Sequence, residues 1–397
     1  MIMTIALKGG KPTRNEFISY GKHYIDENDI RAVNEVLKSP YLTTGPKALE
    51  FEKKLCELTG AKYAVAISNG TSALHAACYA AGITKGDEVI TTPITFAASV
   101  NCVLYCGGTP VFADIDPDTW NIDPNRIEEK ITAKTKAVIA VDFTGQAVQI
   151  DAIKKICNEY NLILIEDAAH SIGTKYNGVS VGAHADFTTF SFHPVKTITC
   201  GEGGAILTNN EEYYNKMLLF RSHGITRNEK ELTHTSYNGY NEQIELGYNY
   251  RMTDFQAALG TSQLRKLNQF SNRRKEIVNK YNEAFSQIPE ITIQKEIRES
   301  DTTRHLYIIR LKLDKLKVHR DEIYKALNAE NIGLQVHYIP VYFHPYYQEL
   351  GYKKGLCPKA EALYEEIITI PLYYSLSDED VESVIEAVNK VINYYRK

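Results

Sequence analysis

Thr188-Thr-Phe-Ser-Phe-His-Pro-Val-Lys-Thr-Ile-Thr-Cys-Gly-Glu-Gly-Gly-Ala-Ile-Leu207 sets one lysine, Lys196, between an apolar run and a cluster of glycines. The run from Phe187 to Phe192 is β-like, and Gly201, Gly203 and Gly204 follow it. That order predicts a turn at Lys196 where backbone approaches a ligand closely. A lysine is ordinarily a surface residue. What the rest of the chain brings beside this one decides whether it is more.

Outward from that stretch, β-like runs at 63–67, 87–92, 109–114, 136–142, 162–166 and 187–192 alternate with helical stretches, an α/β signature. Ala137-Val-Ile-Ala-Val141 and Leu162-Ile-Leu-Ile165 are continuously apolar, as strands covered on both faces of a parallel sheet are. Residues 205–208 predict one more strand, antiparallel to its neighbour. Upstream, 26–38 place Ile30, Val33, Val36 and Leu37 on one helical face, and Ser39-Pro40 ends that helix. A polar loop, Tyr41-Leu-Thr-Thr-Gly-Pro46, precedes a second helix carrying Leu49, Phe51, Leu55 and Leu58. Downstream, 222–250 reads as a long polar loop, functional or packed on a partner subunit. A helical pattern from Thr253 to about Gln287 breaks near Asn268. A strand (305–313), a helix (319–330), a strand (334–338) and helices at 358–368 and 378–395 follow. The expected division is an N-terminal arm and loop over 1–45, a large, mostly parallel seven-stranded domain over 46–265, and a smaller C-terminal α/β domain over 266–397.

Composition narrows the function classes. A formal net charge of −4 over 397 residues gives no basic footprint for nucleic acid or an anionic membrane surface. Seven scattered cysteines without CxxC spacing fit no disulfide framework and suggest a reducing cytoplasm. Cys102 and Cys106 have helical spacing but no nearby His or Cys in sequence, so no metal site is expected. The apolar part of the N-terminus is too short for a signal peptide, and no run of eighteen apolar residues occurs, so a soluble cytoplasmic protein is expected.

Four strand ends carry chemistry. Ser68-Asn-Gly-Thr-Ser-Ala-Leu74 joins a strand to a helix, so Gly70, Thr71 and Ser72 offer free N–H groups and hydroxyls to an anion. Plain N-capping by Asn69 or Ser72 explains the same residues. Neither GxGxxG nor GxxxxGK[ST] follows, which argues against dinucleotides and a P-loop. Thr92-Pro-Ile-Thr-Phe96 puts an aromatic at a helix start. Ile163-Leu-Ile-Glu-Asp-Ala-Ala-His170 ends a buried strand with Asp167 at the carboxyl end, where open α/β sheets bind ligands; Glu166 should face the other way. An anion site, a covering ring, a carboxylate and an amine, in that order, meet the needs of pyridoxal 5′-phosphate.

With those residues in hand, the chain resembles the DegT/DnrJ/EryC1/StrS sugar aminotransferases, which have the aspartate aminotransferase fold, fold type I of the pyridoxal-phosphate enzymes. Ser68-Asn-Gly-Thr-Ser-Ala, Thr92-Pro-Ile-Thr-Phe, Glu166-Asp-Ala-Ala-His, Ser191-Phe-His-Pro-Val-Lys, Gly201-Glu-Gly-Gly, Arg221-Ser-His-Gly and Asn249-Tyr-Arg-Met-Thr-Asp stand in the family's order. The resemblance implies that Lys196 bonds the cofactor and that Asp167 meets its ring nitrogen. It further implies that Phe96 stacks on the ring, that Thr71, Ser72 and Ser191 hold the phosphate with Gly70 beside them, and that His170 lies near the cofactor. Asn249 is implied to reach the phosphate in a neighbouring subunit, so that a homodimer shares its active sites. Some members are dehydratases with histidine in place of this lysine; lysine at 196 favours transamination.

Gln335-Val-His-Tyr-Ile-Pro-Val341, His344-Pro-Tyr-Tyr347, Leu350-Gly-Tyr-Lys-Lys-Gly355 and the loop at Tyr41 resemble members acting in pseudaminic acid synthesis. That likeness implies transfer from L-glutamate to C4 of UDP-2-acetamido-2,6-dideoxy-β-L-arabino-hexos-4-ulose. Tyr20, Tyr41, Leu42, Thr43, Gly70, Val336, His337, Tyr338 and Ile339 would line the sugar-nucleotide pocket. Two alternatives stay open: a transaminase of perosamine, viosamine or 4-amino-arabinose type, and a non-catalytic regulatory protein that keeps the fold.

Overall fold

Residues along each central strand alternate between two apolar clusters. Ala64, Ala66, Val138, Ala140 and Leu164 belong to one, and Val65, Ile67, Ala137, Ile139 and Ile165 to the other. A sheet with period-two side chains and apolar groups on both faces must be covered twice. The computed structural model, which describes residues 4–233 and 239–397, shows that sheet. Its seven strands are β1 (Tyr63–Ile67), β2 (Glu88–Thr91), β3 (Thr109–Phe112), β4 (Thr135–Val141), β5 (Ile163–Asp167), β6 (Phe187–Ser191) and β7 (Gly204–Thr208), in the order β1-β7-β6-β5-β4-β2-β3. β7 pairs antiparallel with both β1 and β6, and every other pairing is parallel. All seven expected strands are present, the last of them antiparallel as expected.

The helices of eight or more residues are α1 (Glu27–Leu37), α2 (Pro46–Thr59), α3 (Gly70–Ala80), α4 (Ala98–Tyr105), α5 (Ile150–Glu159), α6 (Glu211–Phe220), α7 (Asp254–Leu264), α8 (Leu267–Phe285), α9 (Arg320–Ala329), α10 (Pro358–Glu366) and α11 (Asp378–Tyr395). α8, α9 and α11 surround a further apolar cluster with the antiparallel strands β8 (Ile291–Ile293), β9 (Tyr307–Leu311) and β10 (Ile367–Ile370). The break between α7 and α8 falls at Arg265 and Lys266, slightly before the expected Asn268. Two strand expectations change. Residues 334–338 form one bridge, Gln335 to Thr369, in place of a strand. Ile367 and Ile368, expected as the tail of a helix, open the strand β10. In 222–250, Ile225–Thr226 pairs with Glu242–Gln243, and 234–238 lie outside the described residues. No described helix is long and apolar enough to cross a membrane, and no group of side chains among the described residues could hold a metal ion.

The inward face of α1 differs from the expected apolar stripe. Val36 is buried, but Ile30 and Leu37 are 45% and 57% exposed, and fully buried Asp29 faces the protein. Asp29 and Asp26 both pair with Lys266 at the α7–α8 break, and Gln263 Nε2 donates to Asp29 Oδ2 at 2.7 Å. An ion pair, not an apolar stripe, sets the helix's rotation. Removing one partner of a buried pair leaves the other charge uncompensated. Lys266→Met is therefore expected to cost about 3 kcal/mol, read as a lower urea midpoint. Asp26→Ala, whose carboxylate is more exposed, should cost less.

Candidate active site

A cavity of about 520 Å³ opens at the carboxyl ends of β1, β2, β5 and β6, where parallel sheets leave room between strand ends and following helices. At the first of these, Asn69 caps α3. Its Oδ1 accepts from Ser72 N at 2.8 Å, and Asn69 N donates to Ser72 Oγ at 3.1 Å. The Ser72 hydroxyl also donates to Asn69 O at 2.8 Å, so the cap consumes it. Ser72 is buried and does not line the cavity, its hydroxyl turned to the cap. Gly70, Thr71 and Ser191 do line it. A Cβ at Gly70 would stand 2.8 Å from Ser191 Cβ, so glycine lets the helix start lie against β6.

Asp167 ends β5 and lies almost fully buried on the cavity wall. Ser99 Oγ, on α4, donates to its Oδ2 at 2.5 Å, and Ala169 N to its Oδ1 at 3.1 Å. Burial raises its pKa; these two donors and the Lys196 charge oppose the rise. Glu166 points away from the cavity, as strand alternation predicts. It accepts from Thr188 Oγ1 at 2.9 Å, and burial, with the Asp167 charge, pushes it up to about 7.

Lys196 sits on the expected turn, its N–H donating to His193 O at 2.9 Å. Its amine makes no hydrogen bond among the described residues, and burial lowers its pKa to about 8 against the pull of Asp167. Around it lie His170, His337, Tyr338, Tyr20 and Phe96. Burial holds His170 well below the usual histidine range and His337 at about 4, the Lys196 charge adding to both. Tyr20 arrives on the N-terminal arm, which is fixed by Gly333 N to Ile18 O at 2.6 Å and Leu372 N to Tyr20 O at 3.2 Å. Phe96 is 62% exposed and faces the cavity, its ring 6.3 Å from that of Tyr338.

Of the expected site residues, Val336 and Ile339 flank the lining pair His337 and Tyr338 without lining the cavity. Tyr41, Leu42, Thr43 and Asn249 are exposed and outside this chain's cavity. Ser99 and Glu202, both on the wall, went unrecognised. The helical spacing of Thr95 and Ser99, whose hydroxyls lie 2.7 Å apart, was the available signal for Ser99.

The donor set fits pyridoxal phosphate: a helix start packed closely on Ser191, an exposed aromatic face, a buried carboxylate held by two donors, and an amine with depressed pKa. Together with the seven-stranded sheet, this wall defines an aminotransferase of fold type I. The profile of the DegT/DnrJ/EryC1/StrS aminotransferase family matches residues 23–389, and the chain belongs to that family. It is 42% identical to the spore coat polysaccharide biosynthesis protein SpsC of Bacillus subtilis, over 96% of this chain and 98% of that one. It is 38% identical to the UDP-4-amino-4,6-dideoxy-N-acetyl-β-L-altrosamine transaminase of Campylobacter jejuni, over 96% and 99%. Helicobacter pylori PseC, an aminotransferase of pseudaminic acid biosynthesis, superposes with a TM-score of 0.89 at 35% identity, over 96% and 100%. The protein is a sugar aminotransferase, and its cofactor is pyridoxal 5′-phosphate.

A lysine at about 8 is half neutral there, and protonated below. Acylation of Lys196 in the apoprotein, followed by peptide mass spectrometry, should therefore rise with pH through about 8 and level off, where an ordinary lysine would rise near 10.5.

Proposed function

We propose that this cavity moves an amino group from L-glutamate to C4 of UDP-2-acetamido-2,6-dideoxy-β-L-arabino-hexos-4-ulose, a step of pseudaminic acid synthesis, in a cytoplasmic homodimer. The observation that carries the chemistry is Lys196, Asp167, Phe96 and the start of α3 around one cavity. The choice of sugar is supported by the names of the Campylobacter and Helicobacter relatives. The same reading divides the chain at 45 and 265.

In this reading Lys196 holds the cofactor covalently, and Asp167 keeps a proton on its ring nitrogen. Phe96 covers one face and His170 lies beside it. Gly70, Thr71 and Ser191 hold the phosphate, with Ser72 supporting them through the cap. When bound, the cofactor supplies an electron sink for the carbon that loses or gains a proton. Lys196 Nζ takes that proton and returns it, a task suited to an amine whose pKa burial has brought near neutrality. Tyr20, His337 and Tyr338 wall the sugar side. Tyr41, Leu42, Thr43 and Asn249, exposed and outside their own chain's cavity, serve the cavity of the second copy. The exposed apolar residues Tyr41, Leu42, Leu246 and Tyr248 support that assignment, since a partner would cover them.

The relative named for spore coat polysaccharide biosynthesis supports a second reading, the same transfer to a different nucleotide-linked 4-keto-6-deoxy sugar of perosamine, viosamine or 4-amino-arabinose type. Assay of purified protein with glutamate against UDP-, GDP- and dTDP-linked keto sugars should show highest kcat/KM for the UDP sugar. Preference for a dTDP or GDP sugar selects the second reading. Absence of any turnover, with no borohydride-trapped adduct on Lys196, would return the chain to a regulatory role. Shared sites make a further prediction. Lys196→Ala and Asn249→Asp proteins, each nearly inactive, should regain activity when refolded together, because one site of each hybrid keeps both native residues.

A further inference from the structure

From one wall of the cavity a column of a phenol and two imidazoles runs inward, Tyr338 and His170 lining the wall and His305 packed behind, and the chemistry of Lys196 and Asp167 has no use for it. The Tyr338 hydroxyl lies 3.3 Å from His170 Nε2, and the His170 ring packs on that of His305 with centroids 4.6 Å apart. His305 is fixed through its backbone. Its N–H donates to Thr144 O at 2.7 Å, and its carbonyl accepts from Arg274 Nη1 at 3.3 Å. Both imidazoles are buried, and Nδ1 of each has no partner among the described residues. Burial holds both well below the usual histidine range, with the Lys196 charge second, so neither carries a spare proton at neutral pH. Tyr338 is pushed the other way by burial and by the Asp167 charge, and remains a phenol.

Amino transfer exchanges carbonyl oxygen for nitrogen. Water must leave when the keto acceptor condenses with the amine, and must enter when the oxo acid departs. Lys196 moves the proton on carbon; the oxygen needs its own donor. Asp167 already accepts from Ser99 and Ala169. Glu202 is exposed, and the Tyr20 hydroxyl has no hydrogen-bond partner among the described residues to hold it. Tyr338 is an acid on the wall, held against an imidazole and facing the same cavity as Lys196.

We propose that Tyr338 is the acid–base group for oxygen exchange in both halves of the reaction, an inference that rests on the aminotransferase reading of the cavity. As the C–O bond breaks, Tyr338 gives its proton to the departing oxygen, which leaves as water. As the C=N bond forms, the nitrogen sheds a proton and the phenolate takes it, so no net proton is consumed. The oxo acid is released by the same transfers in reverse. His170, with its proton on Nε2, donates to the phenolate while it exists.

The test separates carbon-proton exchange from oxygen exchange in the Tyr338→Phe holoenzyme. In D2O with L-glutamate, the variant should wash deuterium into the glutamate α position within about threefold of the wild-type rate. Release of 2-oxoglutarate and amination of the keto sugar should each fall about a hundredfold. Affinity of the apoprotein for pyridoxal phosphate, from fluorescence quenching, should stay within about threefold, which shows that the pocket is intact. Deuterium exchange and release falling together, a loss of cofactor affinity that accounts for both, or undiminished release each overturns the assignment. A wild-type protein that neither exchanges nor releases overturns the aminotransferase reading itself.

Discussion

The start of α3 lies against the sheet only because two side chains are absent. A Cβ at Gly70 would collide with Ser191, and one at Gly204 would fall on the Asn69 carbonyl. With hydrogen at both positions, the helix begins close over β6 and β7, with Thr71 on the cavity wall. The unsatisfied N–H groups and the positive end of the helix dipole then serve an anion. Asn69 and Ser72 hold the geometry from behind, each spending its side chain on the other's backbone. That close approach also brings Lys196, which leaves the end of β6, and Ser191 to the same wall.

Electrostatics on this wall are set mainly by dehydration. Three imidazoles and an amine gather on and behind the wall that holds buried Asp167, and water is too scarce to keep every base charged. His170 and His305 are held well below the usual histidine range and His337 at about 4, so all three are neutral. The lysine, attracted by Asp167, falls only to about 8 and stands poised between its two states. Asp167 in turn is held toward its ionised form by the Ser99 hydroxyl and the Ala169 N–H. A second carboxylate one residue away, Glu166, is sent to the other side of the sheet by the pleat, which leaves a single acceptor facing the cavity from this strand.

Much of this was legible in the sequence because strands announce themselves by local pattern and the lysine, aspartate, phenylalanine and anion loop all stand just past strand ends. What escaped depends on contacts made at a distance. The inward turn of Asp29 answers to Lys266, which no window around α1 contains. Ser99 matters through Asp167, 68 positions away, and His305 through His170. The orientation of Ser72 escaped for a local reason: a hydroxyl at the third helical position can face the cavity or turn back to its cap, and sequence does not distinguish them. Ile367–Ile370 is a short apolar run beside a helix, a case in which periodicity does not separate strand from helix. The 334–338 segment has a strand's composition but finds a ladder partner only at Gln335.

The ion pair that orients α1 spans 237 positions of chain, and the arm before it bonds to Glu330 and Gly333, later still. Ribosomes add roughly 5–20 residues each second, so α1 is finished roughly 10–50 s before Lys266 has even been made. The arm and α1, made before their partners, are thus among the last segments to dock. During that interval Ile5 and Ile18, buried in the finished protein, have no pocket to enter. The nascent chain must carry this stretch undocked until the residues around 266 and 330 have been added.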